Sequence, residues 1–212
     1  MIGSTGSGKS TLINLIPRYY DVTKGSVKVD GVDVRDMTQK ELRDKLGYVP
    51  QKGVLFSGTI DSNIRYGKPE ITDAQVKEAA EVAQATEFID TKPEKYKSPV
   101  SQGGTNVSGG QKQRLSIARA IAKDPEIFIF DDSFSALDFK TDSQLRKALK
   151  EYTKDATTVI VAQRISTILG ADQIIVLDDG HMAGIGTHKE LMANCEVYQQ
   201  IARSQLSEEE LA

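Results

Sequence analysis

Cysteine and long apolar runs are scarce in this sequence, and neither sign of charge dominates. Each shortage closes off a class of function. The single cysteine, Cys195, excludes an internal disulfide and suits a reducing compartment; by type it is a small, buried, apolar residue. The longest apolar runs, Ile127-Phe128-Ile129-Phe130 and Val159-Ile160-Val161-Ala162, fall far short of the roughly 20 residues needed to cross a bilayer, so the chain is expected to be soluble by itself. No signal peptide is expected, because a glycine-rich loop stands at the N-terminus. A net charge of −3 gives no general pull toward nucleic acid or anionic lipid. Repeats and low-complexity segments are absent, and 212 residues suit one large domain or two small lobes sharing a core.

What the sequence does have is chemistry for phosphate. Gly3-Ser4-Thr5-Gly6-Ser7-Gly8-Lys9-Ser10, followed by Thr11, fits G-x-x-x-x-G-K-[ST]. Its glycines let successive backbone N–H groups turn inward on an anion. Lys9 can reach the β- and γ-phosphates, and the Ser10 hydroxyl can ligate Mg²⁺. A helix predicted from Lys9 through Ile16 would point its positive dipole end at the same phosphates. Alone, the loop says only that a nucleotide binds; a plain glycine-rich turn is the competing reading.

Along the chain, strand and helix signals alternate. Ser26-Val27-Lys28-Val29 alternates with period two into an Asp30-Gly31 turn, and Thr38-Gln39-Lys40-Glu41 fits a capping box opening a short helix. Gly47-Tyr48-Val49-Pro50 is a short strand leading into Gln51. From about 59 to 123 the character turns helical. Thr72 to Gln75 is a second box with Val76, Ala79, Ala80 and Ala83 on one face, and Ser108 to Gln111 a third, opening a helix through Ala122. Apolar strands follow at 126–131, 157–162 and 173–177, the last turning through Asp179-Gly180 into 182–185. A helix over 142–152 carries Leu145, Leu149 and Tyr152 on one face. This pattern predicts an α/β fold with a mostly parallel sheet covered on both faces. Ser207-Glu208-Glu209-Glu210 is a solvated end, and Tyr19 and Tyr20 are taken as packing residues.

Two further motifs narrow the function. Phe128-Ile129-Phe130-Asp131-Asp132 is an apolar strand ending in carboxylates, which would bring Asp131 to the sheet's carboxyl edge to hold Mg²⁺ through its water shell. Ser108-Gly109-Gly110-Gln111 opens a helix with a glycine-lined N-terminus, followed by Gln113-Arg114 and Ala118-Arg119-Ala120. With these in place the chain resembles the nucleotide-binding domain of an ATP-binding cassette (ABC) transporter of the exporter type. The phosphate loop, Gln51 as Q-loop, Val107–Gln111 as signature, Asp131 as Walker B and Ser135-Ala136-Leu137-Asp138 as D-loop stand in family order over essentially the whole chain. Phe56-Ser57-Gly58-Thr59-Ile60, Asn63-Ile64 and Gly186-Thr187-His188 resemble the multidrug and lipid exporter branch.

The resemblance implies a P-loop NTPase fold, with a RecA-like core over 1–58 and 124–212 and an inserted helical signature subdomain over 59–123. Only Met1-Ile2 precede the loop, so the family's N-terminal β-subdomain is expected to be largely missing. It further implies ATP and Mg²⁺ as ligands, with Ser10, Gln51 and Asp131 at the metal. The expected partners are a second nucleotide-binding domain, joined head-to-tail so that Ser108, Gly109, Gly110 and Gln111 meet its ATP, and transmembrane domains at the cytoplasmic face of the membrane. Nucleic acid is not among them.

Two positions depart from the family. Asp132 stands where a Glu normally orients or activates the attacking water, and one methylene less withdraws the carboxylate by roughly 1–1.5 Å. Gln163 stands where a His is normal; it can hydrogen-bond a γ-phosphate but carries no positive charge. His181 and His188 lie elsewhere and are expected to be structural or surface residues, and Val107 in place of Leu is conservative. The paired changes point to the weak site of a heterodimeric exporter, catalytic candidates Asp132, Gln163 and Gln51 included. A homodimeric exporter with reduced turnover is the alternative. DNA-acting relatives need long coiled coils, for which residues 11–107 show no sustained heptads, and ribosome-acting ones need two cassettes.

Overall fold

The computed structural model describes residues 1–207. The elements in chain order are β1 (Ile2–Gly3), α1 (Lys9–Ile13), β2 (Lys28–Val29), β3 (Val32–Asp33), α2 (Gln39–Asp44), β4 (Leu46–Val49), β5 (Gly58–Thr59), α3 (Ile60–Ile64), α4 (Asp73–Val82) and α5 (Thr86–Asp90). There follow β6 (Pro99–Val100), α6 (Gly109–Ala122), β7 (Ile127–Asp131), α7 (Phe139–Tyr152), β8 (Thr157–Val161), β9 (Ile174–Asp178), β10 (His181–Gly186), α8 (His188–Asn194) and α9 (Glu196–Arg203). Two compact units divide the chain: Met1–Leu42 with the described residues from Val159 on, and Arg43–Thr158.

In the first unit β9 is central. It pairs parallel with β1 (Ile2 with Val176, Gly3 with Leu177) and antiparallel with β10 across the Asp179-Gly180 turn. Ile2, Ile165, Ile174, Val176, Leu191 and Tyr198 are packed into one apolar cluster, where the Cys195 thiol is also buried. The Asp30-Gly31 turn between β2 and β3 has φ of 52° and 81°, the doubly left-handed backbone of a two-residue hairpin, which is why Asp-Gly stands there. Thr187 and Glu190 cap α8 reciprocally, Glu190 N donating to Thr187 Oγ1 and Thr187 N to Glu190 Oε2.

Three expectations in this unit need correction. The α-helix after the loop ends at Ile13, not Ile16, and Leu15 and Ile16 continue it as tighter i→i+3 turns ahead of Pro17, whose ring disfavours helical backbone in the residue before it. The strand expected over 26–29 is formed only at Lys28–Val29, although Val27 O still accepts from Val34 N at 2.9 Å. Tyr19 and Tyr20 are not core residues: they are 49% and 63% exposed.

In the second unit β7 pairs parallel with β4, Leu46 to Val49 opposite Ile127 to Phe130. Phe128, Ile129 and Phe130 are each at most 1% exposed, so the strand is buried on both faces. Burial of each aromatic is worth about 1.5–3 kcal/mol. Helices fill most of the 59–123 stretch, and their starts follow the local chemistry read from the sequence. Thr72 accepts from Gln75 N and Ser108 from Gln111 N, each worth about 1 kcal/mol. Asn63, 1% exposed, satisfies its whole amide: Oδ1 accepts from Phe56 N, and Nδ2 donates to the Phe56 and Thr59 carbonyls. Arg119 also donates to that Oδ1 and lies over the stacked Phe56 and Tyr66 rings, where burial lowers its pKa to about 10. Helix α7 begins at Phe139, three residues before the expected 142, because Asp138 caps it by accepting from Thr141 N at 2.9 Å.

Among the described residues no helix is long and apolar enough to cross a membrane. Of the acidic end expected to be solvated, Glu208 onward lies outside the described residues.

Candidate functional site

The phosphate-binding motif is built in the first unit on β1 and α1. Gly3 ends β1 so close to β9 that a Cβ would stand 2.1 Å from the Leu177 carbonyl oxygen and 2.7 Å from Ser7 Oγ. No other residue fits there. Gly6 and Gly8 have φ of 84° and 93°, the left-handed backbone that folds residues 3 to 8 into a loop and makes Gly8 the cap of α1. Ser4, Thr5 and Gly6 are exposed, Ser7 is buried, and Ser10 and Thr11 stand exposed on the first turn of α1. Lys9 Nζ folds back over the loop, donating to Gly3 O at 2.8 Å, Ser4 O at 2.7 Å and Ser7 Oγ at 3.3 Å. A cation is thereby held over the glycine-rich loop by the loop's own oxygens, an arrangement suited to an anion.

Gln163 lies in the same unit, exposed just beyond the end of β8. Its turn is held from α9's end: Gln205 Nε2 donates to Gln163 O at 2.8 Å, and Gln205 Oε1 accepts from Ile165 N at 2.8 Å. The two histidines are engaged elsewhere, His181 Nδ1 at 2.9 Å from Asp179 O and His188 Nδ1 at 2.8 Å from the buried Tyr198 hydroxyl.

The second unit carries the carboxylates. Strand β7 delivers Asp131 and Asp132 side by side, 6% and 7% exposed. Tyr48, on the neighbouring β4, has its hydroxyl 3.5 Å from Asp131 Oδ2. Asp132 has φ of 47°, a left-handed conformation that Asp tolerates better than longer side chains. Gln51, exposed after β4, donates from Nε2 to Asp132 Oδ2 at 3.0 Å, so the structure joins two residues that the sequence named separately. Ser133 Oγ donates to Val49 O at 2.9 Å and pins the strand ends together.

Helix α6 presents the other motif. Ser108 caps it, Gln111 Oε1 accepts from Ser108 N, and Gly109 is exposed. A Cβ added to Gly110 would meet Ala136 O at an ordinary 3.5 Å, so this turn and the Ser135–Asp138 segment are neighbours. The Thr141 N–H holds the exposed Asp138 carboxyl below the usual carboxylate range.

Three contributors escaped sequence reading: Gln205 behind Gln163, and Gln113 with Gly53 behind Gln51. Gln and Gly carry no local signal of such roles, because tertiary packing alone creates them.

Comparisons with known proteins identify the family. A family model described as ABC transporter matches residues 1–135. The chain is 50% identical over 208 residues, 97% of its length, to an uncharacterized ABC transporter ATP-binding protein of Mycobacterium bovis. It is 48% identical over 200 residues, 94% of its length, to a Staphylococcus aureus protein whose name assigns it to multidrug export ATP-binding/permease proteins. In both cases it spans 35% of the relative's own length. A solved bacterial Atm1-family ABC exporter with ATP bound superposes with a TM-score of 0.92 at 39% identity, over 98% of this chain and 36% of that one. The α/β architecture is therefore that of an exporter's P-loop nucleotide-binding domain, and the chain belongs to the ABC transporter family as its ATP-binding domain.

Proposed function

We propose that this domain powers a membrane exporter by binding ATP between its own phosphate loop and the signature of a second nucleotide-binding domain, and that its own site hydrolyses slowly. The observation that carries the reading is the pairing of a sound loop and a sound signature with Asp132 and Gln163 at the hydrolytic positions. Gly3 to Thr11 cradle the phosphates, with Lys9 supplying the charge. Mg²⁺ suits the donors present, since a carboxylate from Asp131, a hydroxyl from Ser10 and an amide oxygen from Gln51 are hard oxygen ligands. Once bound, the ion neutralises charge on the β- and γ-phosphates. Ser108 to Gln111 present a helix N-terminus to the partner's ATP, and Asp138 lies beside that contact. The helical stretch 59–123 is the signature subdomain, set into a core of 1–58 and 124–212, and meets transmembrane domains at the cytoplasmic face.

A weak site follows from reach and charge. The Asp132 carboxylate is one methylene short and already accepts from Gln51, and Gln163 supplies no cation. The partner therefore carries the competent site, completed by this chain's signature. Asp132→Glu together with Gln163→His should raise single-turnover hydrolysis at this chain's loop, by up to on the order of 100-fold if geometry is the whole defect. The assembled exporter with the partner's site disabled is the system for this measurement. No gain from the double variant would remove the reading of a geometric defect.

A further inference from the structure

The most deeply buried polar side chain of α6 stands behind Gln51 and has been given no role of its own above. Gln113 stands two residues past the Ser108–Gln111 turn and is 1% exposed, as buried as the apolar residues around it. An amide so placed has both an acceptor and donors to satisfy. Gln113 Oε1 accepts from Gly53 N at 2.9 Å, and Nε2 donates to Pro50 O at 3.1 Å. Pro50 and Gly53 flank Gln51 and Lys52. One side chain of the signature helix therefore closes both sides of the turn that carries Gln51.

Packing supports the same attachment independently. A Cβ on Gly53 would stand 2.8 Å from Ser116 Oγ and 2.9 Å from Lys112 O, so the turn's backbone lies directly on α6. Two residues on, Leu55 O accepts from Gly103 N at 3.0 Å, and Gly104 fits closely among Leu55, Lys112 and Val107. The Gln51 turn is thus fastened to the signature helix and its approach at Pro50, Gly53 and Leu55, while Gln51 itself reaches Asp132.

We propose that Gln113 is a positioning residue that makes the Gln51 turn and the start of α6 one mechanical unit, so that a change at this chain's own nucleotide is felt at the nucleotide its signature completes. The inference rests on the reading of Gln51 and the signature as parts of two different ATP sites. A nucleotide that alters the Gln51–Asp132 bond shifts the turn. Through two hydrogen bonds to one buried amide, that shift is delivered to a helix only two residues from Gln111. Leucine at 113 keeps volume and burial but removes both bonds.

A mutant cycle in the full-length exporter, assembled with its partner, tests the coupling. Turnover is read at the site this chain's signature completes, in Gln51→Ala, Gln113→Leu and the double variant. Each single change should lower it by roughly 2- to 30-fold, and the double should fall no lower than the slower single. Multiplied effects in the double would show two independent groups and overturn the proposal. Gln113→Glu, which keeps the acceptor for Gly53 and loses the donor to Pro50, should give an intermediate effect and serves in the same cycle if the leucine variant fails to assemble. Hydrogen exchange on the same proteins gives a readout that needs no partner site. Gln113→Leu should accelerate exchange both at Gly53 and across 108–111, whereas acceleration confined to Gly53 would also overturn the proposal. If Gly109→Asp leaves turnover intact, the two-site reading fails, and the exchange result still decides the clamp.

Discussion

Lys9→Ala probes the phosphate loop at the one point where its charge is concentrated. The ammonium donates to Gly3 O, Ser4 O and Ser7 Oγ at 2.7–3.3 Å, so it is already satisfied by the loop's own oxygens. Phosphate oxygens have to replace these acceptors, and the gain on binding is a difference between two sets of charge-assisted bonds. That difference favours the phosphates because they carry formal negative charge and the loop's oxygens do not. A hydrogen bond to a charged group is worth about 1.5–3 kcal/mol net, so Lys9→Ala should weaken Mg-ATP binding roughly 10- to 150-fold. The same change removes the cation that ties residues 3, 4 and 7 together, so melting temperature should fall along with affinity. Lys9→Arg keeps the charge but replaces a point donor by a planar fork, and should recover only part of the loss. Titration of the assembled transporter at fixed salt, alongside thermal melts, reads both quantities. Unchanged affinity in Lys9→Ala would mean that the phosphates do not meet this loop as described.

Further outcomes follow from other parts of the structure. Gly3→Ala places a Cβ 2.1 Å from Leu177 O, so β1 and β9 have to part; denaturant melts should show a loss of about 1–3 kcal/mol or more, and full stability would contradict the packing. Gly109→Asp puts a carboxylate where the partner's γ-phosphate is proposed to sit, so turnover of the whole transporter should collapse while ATP crosslinking to this chain's loop persists; preserved turnover would sink the composite site. Glu190 is held below its ordinary pKa of 4.5 by bonds from the Thr187 N–H and hydroxyl, so its contribution to α8 is complete above that value and fades as pH falls through the lowered one. Glu190→Gln should therefore flatten the acid limb of the melting profile, and an unaltered limb would exclude the cap as its source.

Legibility in the sequence tracked the range of the interaction responsible. The boxes at Thr38, Thr72 and Ser108 are contacts over three residues, so residue type and spacing were enough to place them. Strand β7 was equally plain, because an unbroken apolar run leaves few alternatives, and Asp30-Gly31 announced its own backbone. The failures have longer range or finer chemistry. The early end of α1 depended on Pro17 acting against a run of apolar residues, and the early start of α7 on Asp138 being a cap as well as a motif residue. Tyr19 and Tyr20 look like core residues by type alone, and only the folded surroundings leave them outside. Gln113 illustrates the limit. Gln111 is placed by its spacing from Ser108, but no such local partner marks Gln113, whose side chain faces a turn sixty residues away.

Asp132 shows how structure can change the meaning of a departure already seen in sequence. From residue type alone, the missing methylene is a loss of reach. The structure adds that the shorter carboxylate is engaged, accepting from Gln51 Nε2 at 3.0 Å from a backbone with φ of 47°. In that left-handed conformation a short side chain is better tolerated. Gln51 Nε2 and Asp132 Oδ2 are thus bonded to one another, and a water molecule has to compete with that bond for this carboxylate oxygen, whereas the bond does not use the Gln51 amide oxygen. Under the proposed division of labour this is what a holding site needs: polar groups retained around the nucleotide, but turned toward each other instead of toward the attacking water. Restoring glutamate alone would lengthen the arm and leave Gln51 to find another acceptor. Gln163→His is therefore paired with it in the proposed test, because under that reading reach without a cation supplies only half of what the site lacks.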